Sequence, residues 1–386
     1  MKVAIVHDWM TLKGGGELCV EEFLHLYPDA DLYCVVEFLP EEDRAFLNGR
    51  KVHTSFVQRL PWARTRYRSY LPLMPIAVEQ FDLSGYDLII SSSHAVAKGV
   101  ITGPDQVHLA YVHAPIRYAW DLQHTYLQES GLTKGPKSAV ARAILHYMRI
   151  WDARTANGVD RFLCNSAFTA RRIRKVYGRE ATVVYPPVKL DRFTLGERRE
   201  EFYLCASRMV PYKRIPLIAQ AFAEMPDRRL VIIGDGPDME DVRRAAAPNV
   251  EILGRIPDDQ VRDYMRRAKA FIFAAEEDFG IAPVEAQACG VPVVAYAKGG
   301  ALETVRGYDG PDQTGVFFHE QTPQALSAAV RHLDQRLSSI DPLACRANAE
   351  RFGAERFRRE IAAAVEEALA EVGIWQLPPR VATVPA

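Results

Sequence analysis

Paired cysteines are missing from this chain. Its six (Cys19, Cys34, Cys164, Cys205, Cys289 and Cys345) show no C-x-x-C or Cys/His spacing. Most lie in apolar runs where a small buried thiol fits, so a disulfide scaffold or zinc module is excluded and a reducing cytoplasm is expected. An excess of charge is missing too: 48 Lys and Arg face 49 Asp and Glu, a net charge of -1. That leaves no broad positive field of the kind that holds nucleic acid, so no nucleic-acid partner is expected and any anion site must be local. No apolar run reaches the length of a membrane span, and Met1 leads straight into the strand-like Lys2-Val-Ala-Ile-Val6 without the n- and h-regions of a signal peptide. The expectation is a cytoplasmic protein, soluble or peripheral on the inner face of the membrane. There is no G-x-G-x-x-G fingerprint and no internal repeat.

What is present is an alternation of short β-branched runs with helical segments. Val3–Val6, Leu32–Val36, Leu88–Ile90, Val107–Val112, Arg161–Cys164 and Thr182–Val184 read as strands. The rhythm restarts after Tyr185-Pro-Pro-Val188 with Phe202–Ala206, Leu230–Ile233, Val250–Leu253, Ala270–Ala274 and Val291–Ala295. With 386 residues, 48% of them hydrophobic, the chain is long enough for two domains. The reading is α/β: two doubly wound Rossmann-like domains, 1–187 and 188–355, facing a central cleft. A charged, Ala-rich helix pattern runs from Ala354 to Glu371, followed by Trp375 and the polar tail Leu377–Ala386, and Pro186-Pro187 is the expected hinge. In such sheets ligands bind beyond the carboxyl ends of strands, so the loops there should carry the chemistry.

One loop does so visibly. Phe271-Ile-Phe-Ala274 reads as a strand, Glu276-Glu-Asp-Phe-Gly280 as a loop, and Pro283–Cys289 as a helix ended by Gly290. Backbone amides around Gly280, Ile281 and Ala282 would point outward at the helix start and suit a diphosphate. Glu277 and Glu285 would repel such a phosphate, and a carboxylate instead accepts hydrogen bonds from vicinal hydroxyls of a ribose or hexose. Positive charge comes from Ser207-Arg208 and Lys213, which follow the strand Phe202–Ala206 and would stabilise a departing diphosphate. A single E-x7-E pair is by itself usually a pair of solvated carboxylates; its weight here comes from Arg208 and Lys213. Glu276 is the alternative to Glu277.

In the first half, Gly14-Gly-Gly16 lies between the first strand and a helix, where Gly15 and Gly16 let backbone amides approach a ligand or simply form a turn. His113 ends the strand His108–Val112 at a carboxyl edge. The run from Arg59 to Pro75 mixes arginines with Trp62, Tyr67 and Tyr70, as a segment meeting anionic lipid would, or as a solvated face. Asp29-Ala-Asp31 is a DxD match, but its place in a turn led by Pro28 argues against a metal site, and none is assigned.

Ser207-Arg208, Lys213, Gly234-Asp-Gly236 and Glu277-x7-Glu285 resemble the C-terminal half of GT-B glycosyltransferases of family 4, a resemblance spanning nearly the whole chain. It implies a retaining, metal-independent hexosyltransferase without a cofactor, with the acceptor on domain 1–187, the nucleotide sugar on domain 188–355, and the C-terminal helix, about 356–386, packing back on the first domain. Arg208 and Lys213 would bind the donor diphosphate, Glu285 the ribose, Glu277 the transferred sugar, and Gly15 and Gly16 would abut the donor. Ser91-Ser-Ser-His-Ala-Val-Ala-Lys98 and His113-Ala-Pro-Ile-Arg-Tyr-Ala-Trp120 look like a subgroup building bacterial surface polysaccharides. That likeness implies GDP-mannose as donor, His113 on the donor sugar, and a saccharide or polyprenyl-diphosphate-linked saccharide as acceptor. A UDP-glucose-type donor, a nucleotide-sugar epimerase, a glycosidase using Glu277 and Glu285, and a non-catalytic nucleotide-sugar-binding protein are the competing readings.

Overall fold

A computed structural model describes residues 1–372. The chain forms two compact units, one of Met1–Cys164, Arg172–Val184 and the segment from Arg358, the other of Asn165–Arg171 and Tyr185–Phe357. The part of the C-terminal reading beyond 372, including Trp375 and the tail, lies outside the described residues.

The first unit is built on a seven-stranded sheet ordered β3-β2-β1-β4-β5-β6-β7, all neighbours parallel. The strands are β1 Val3–Met10, β2 Asp31–Glu37, β3 Val52–Thr54, β4 Leu88–Ser93, β5 Val107–Val112, β6 Arg161–Cys164 and β7 Thr182–Val183. β4 and β5 are buried along their whole length, as strands covered on both faces must be. A core of Val6, Val35, Ile89, Val78, Met148 and Trp151 packs within this unit.

β1 runs four residues past the expected Val6 because its polar residues are buried on partners instead of ending the strand. β3 is three half-buried residues, too short for alternation to announce it. Below the sheet, Lys98 is buried and its Nζ bonds the Asp152 carbonyl at 2.6 Å, the Asp152 carboxylate at 2.9 Å and Thr155 Oγ1 at 2.9 Å. Asp152 also accepts from Trp120 Nε1 at 2.7 Å and Tyr177 OH at 3.0 Å. From Arg358 on, helix Ala354–Val372 carries partners for this unit: Arg358 meets Glu22 at 2.5 Å, and Arg161 pairs with Glu367 and, at 2.9 Å, with Glu371.

The second unit has a six-stranded parallel sheet ordered β10-β9-β8-β11-β12-β13. Its strands are β8 Phe202–Ala206, β9 Arg229–Ile233, β10 Val250–Gly254, β11 Ala270–Phe273, β12 Val293–Tyr296 and β13 Gly315–Phe318. β13 was not anticipated; it pairs with β12 through Val293↔Gly315 to Tyr296↔Phe318. Two apolar clusters cover the sheet, one around Phe222, Ile232 and Leu326, the other around Phe271, Val284 and Phe352. An uninterrupted first domain ending at 187 takes no account of Asn165–Arg171, which belongs to the second unit. The physical reason is Glu303, whose carboxylate accepts the N–H groups of Ala167 (2.8 Å) and Phe168 (3.1 Å) at the start of helix Ala167–Tyr177.

In both sheets the order of the strands reverses once, between β1 and β4 and between β8 and β11, the kind of switch point at which loops diverge and ligands bind. Truncating Lys98 to Ala would strand the Asp152 carboxylate in the core, so the expected loss of stability is about 3–5 kcal/mol, read from urea denaturation against the parent protein.

Candidate active site

The switch point of the second unit gathers most of the expected donor residues. β8 ends at Ala206, and the exposed Arg208 follows on a segment that two glycines press into place. Ser207 N–H donates to the Ile233 carbonyl and Met209 N–H to the Asp235 carbonyl, both at 2.9 Å. Gly234 and Gly236 have φ of +136° and +155°, and a β-carbon on either would overlap the carbonyl oxygens of Ser207 and Met209. The Gly234-Asp-Gly236 turn thus backs the Arg208 segment by direct main-chain contact.

Lys213 closes the 3-10 turn Pro211–Lys213, and its ammonium forms an ion pair with Glu277 on the loop after β11. Both side chains are mostly buried, at 17% and 18% exposure. This joins two groups that the sequence reading assigned to different parts of a ligand. The backbone of Glu277 is pinned in turn: it bridges to Gly299, and Gly300 N–H donates to its carbonyl at 2.8 Å. Glu276 faces elsewhere, toward Lys298 at 3.0 Å.

Helix Ile281–Ala288 begins at Gly280, whose φ of +86° turns the chain out of the loop. Its first-turn amides, Ile281 and Ala282 among them, have no intrahelical acceptor. Glu285 follows on this helix, and burial pushes its carboxyl up to about 7, opposed by Arg192 and reinforced by Asp258. Arg192 and Asp258 pair with each other at 3.6 Å. No described residue hydrogen-bonds the Glu285 carboxylate, so its acceptors are available to hydroxyl donors.

In the first unit, Gly14 is the N-cap of helix Gly15–Leu26, and its N–H donates to Glu17 Oε2 at 2.9 Å. Gly15 and Gly16 therefore belong to the first helical turn. A β-carbon on Gly16 would come within 3.2 Å of the His7 ring and 3.7 Å of His113 Nε2. His113 follows β5, half-buried, with Nε2 hydrogen-bonded to Ser92 Oγ at 2.8 Å, and Ser92 Oγ is 3.0 Å from His7 Nδ1. Burial, aided by the nearby His94 and His7, pushes His113 down to about 3, so it is neutral at physiological pH and offers hydrogen bonds rather than charge.

The structure thus brings Lys213 and Glu277 into contact, sets Gly280–Ala282 and Glu285 on one helix, and brings Gly16 to His113 in the other unit. Sequence reasoning missed Gly299-Gly300, Arg192, Asp258 and the Ser92–His7 link. The glycine pair after β12 was a readable signal; the others are not marked by any spacing. Asp31, half of the DxD match, accepts a hydrogen bond from Tyr86 OH at 2.7 Å, and among the described residues no group of three or more His, Cys, Asp or Glu is arranged to hold a metal.

Glu285 links this site to stability. Because its folded-state value lies above the ordinary 4.5, the folded protein holds the proton more tightly than the unfolded chain. Its favourable contribution is full below 4.5 and is lost as pH rises through about 7. Glu285→Gln should therefore stabilise the ligand-free protein at about pH 8 by on the order of 1–3 kcal/mol, with little change near 4.5, in urea denaturation at both pH values.

Comparison with known proteins agrees with this architecture. Residues 188–343 match the model of glycosyl transferases group 1, and residues 13–192 that of glycosyltransferase family 4. A GDP-mannose-dependent alpha-(1-6)-phosphatidylinositol monomannoside mannosyltransferase of Mycolicibacterium smegmatis is 32% identical over 47% of this chain and 54% of its own length. A D-inositol 3-phosphate glycosyltransferase of Geodermatophilus obscurus is 32% identical over 55% and 54%. The matched region spans about half the length of these relatives. Among solved structures, Anabaena HepE in complex with UDP superposes with a TM-score of 0.67 at 18% identity, over 95% of this chain and all of that one. Sucrose-phosphate synthase from Thermosynechococcus elongatus gives 0.70 at 16% over 96% and 100%. At these identities the structural likeness establishes the fold, and with the two family matches it shows that this chain belongs to the family 4 glycosyltransferases of GT-B fold.

Proposed function

We propose that this chain transfers mannose from GDP-mannose to a hydroxyl of a saccharide or polyprenyl-diphosphate-linked saccharide, with retention of configuration and without a metal. The observation that carries the reading is the Lys213–Glu277 pair beside the N-terminus of helix Ile281–Ala288. When a nucleoside diphosphate sugar binds, Lys213 can turn its charge to the phosphates while Glu277 takes sugar hydroxyls, so one pair serves both ends of the bond that breaks. Arg208, Lys213 and the amides of Gly280–Ala282 supply the positive charge that the leaving diphosphate needs, which is why no divalent ion is invoked. Glu285, whose carboxylate no described residue hydrogen-bonds, suits the ribose hydroxyls. Same-face attack, with the departing phosphate taking the acceptor proton, is the retaining route that fits this set of residues.

Mannose and guanine rest on the relatives named GDP-mannose-dependent, at 29–33% identity. A membrane-bound acceptor is supported by the run 56–76. Arg59, Arg64, Arg66 and Arg68 are exposed there, together with Trp62 at 73%, Ile76 at 47% and Phe56 at 41%. Pro72 falls inside the 3-10 stretch Tyr67–Leu73, so this face is a set of short turns rather than one amphipathic helix. Among the described residues no helix is long and apolar enough to cross a membrane.

Three measurements test the proposal. Thermal shift in metal-free buffer should show GDP-mannose raising the melting temperature more than UDP-glucose or ADP-glucose; the reverse order would reassign the donor. Lys213→Ala and Glu277→Ala should each lower transfer by at least about a hundredfold with the fold intact, and near-normal turnover in both would remove the site. Phosphatidylglycerol vesicles should sediment the protein where phosphatidylcholine vesicles do not, with binding lost when Trp62, Arg64 and Arg66 are all changed to Ser.

A further inference from the structure

Against the Glu277 loop the second unit holds a carboxylate that the donor reading does not use. Gly299 has φ of +70°, and a β-carbon on it would overlap the Glu277 carbonyl oxygen; one on Gly300 would overlap the main chain of Asp278 and Phe279. Gly300 N–H donates to the Glu277 carbonyl at 2.8 Å and opens the one-turn helix Ala301–Thr304. The same turn carries Glu303. Its two carboxylate oxygens accept one backbone N–H each, from Ala167 at 2.8 Å and Phe168 at 3.1 Å, and the Tyr185 hydroxyl hydrogen-bonds the same group. One helical turn therefore ties the Glu277 loop at its start and two distant chain segments at Glu303.

The ties close into a ring. Tyr185 packs on Phe279 of the Glu277 loop with ring centroids 5.8 Å apart, and the buried Phe352 lies 5.2 Å from Tyr185 and 5.4 Å from Phe279. Glu277 is thus held through Gly300, Glu303 and Tyr185, and back through Phe279 two residues along its own loop. A helix cap alone does not require this arrangement. Helix Ala167–Tyr177 already has a local cap in Ser166, whose Oγ accepts the Thr169 N–H at 3.0 Å, and Asp341 caps helix Pro342–Glu350 through Leu343 N–H at 2.8 Å, two residues away. Glu303 instead reaches across more than a hundred residues. The helix bearing Glu285 has separate ties: the buried Gln287 Nε2 and Asn348 Nδ2 donate to the Thr304 carbonyl at 2.9 and 2.8 Å, and Asn348 Nδ2 to Gln287 Oε1 at 2.6 Å.

We propose that Glu303 and Tyr185 are positioning residues for Glu277, setting its carboxylate against Lys213 and hence against the sugar of a bound nucleotide sugar. The inference rests on the glycosyl-transfer reading, in which Glu277 takes sugar hydroxyls. Without Glu303 the turn under the loop is held only at Thr304, so the loop gains freedom at Glu277 while the helix bearing Glu285 keeps its own hydrogen bonds. The signature is a weakened sugar contact with the nucleotide contacts retained.

Calorimetric titration with GDP-mannose and with GDP separates the two contacts, because only the first ligand carries the sugar; if the parent prefers UDP-glucose, that ligand and UDP are read in the same way. Glu303→Ala should lower GDP-mannose affinity about tenfold. Tyr185→Phe keeps the ring on Phe279 and Phe352, removes only the hydroxyl, and should lower it about threefold; it decides the matter alone if Glu303→Ala does not fold. GDP affinity should stay within about twofold in both. In a Glu277→Ala background neither change should weaken GDP-mannose binding further, since a residue acting through Glu277 has nothing left to position. A purely structural role gives the same loss with and without Glu277, or an equal loss for GDP, and either result overturns the proposal. Unchanged GDP-mannose affinity in both single variants, with Glu277→Ala weakened, removes the positioning role and leaves the site reading intact. Parental affinity in Glu277→Ala removes the sugar contact itself, and the positioning role with it.

Discussion

Covering a parallel sheet on both faces is the constraint from which the chemistry of this protein follows. Strands such as β4 and β5 have no solvent face on which to carry polar groups, so reactive side chains can appear only where the strands stop. At the carboxyl ends next to a reversal of strand order, the following loops turn to opposite sides and leave room for a ligand. Arg208 and Glu277 follow β8 and β11, which flank one reversal; His94 follows β4, which with β1 flanks the other. His113 follows the adjacent β5.

Charges at such ends must be held without being spent. Lys213 and Glu277 neutralise one another, which keeps two mostly buried charges tolerable. Glu285 takes the other course: with no cation bonded to it, burial raises its affinity for a proton, and bound hydroxyls would restore the carboxylate. Asp8 represents a third solution, ionised in the core because four amides and an imidazole surround it.

Glycines do the structural work that makes these positions possible. Gly234 and Gly236 let one backbone turn lie directly against the Arg208 segment, and Gly280 carries the chain from the Glu277 loop into its helix. In the first unit Gly16 leaves the space that His7 and His113 fill. At Gly234 and Gly236 close main-chain contact takes the place of a side chain, so the Arg208 segment rests on backbone rather than on rotamers.

Much of this was legible in the residues themselves. Period-2 and apolar runs mark eleven of the strands, because burial on both faces demands β-branched residues there, and the strand–loop–helix reading around Glu277 follows from Gly280, Pro283 and Gly290. The pieces that escaped differ in kind. β3 is three half-buried residues with no buried face, β13 was passed over although it is no shorter than β11 or β12, and the continuation of β1 through His7 and Asp8 depends on partners about 85 residues away. The sequence by itself determined the α/β class, the two-part rhythm and the residue types of the candidate site, since these depend on local pattern. Only the tertiary structure decided that Lys213 meets Glu277, that Glu303 draws Asn165–Arg171 into the second unit, and that Asp8 holds His94. Those contacts join groups from 64 to 136 residues apart, a distance across which spacing along the chain carries no information and packing alone sets who meets whom.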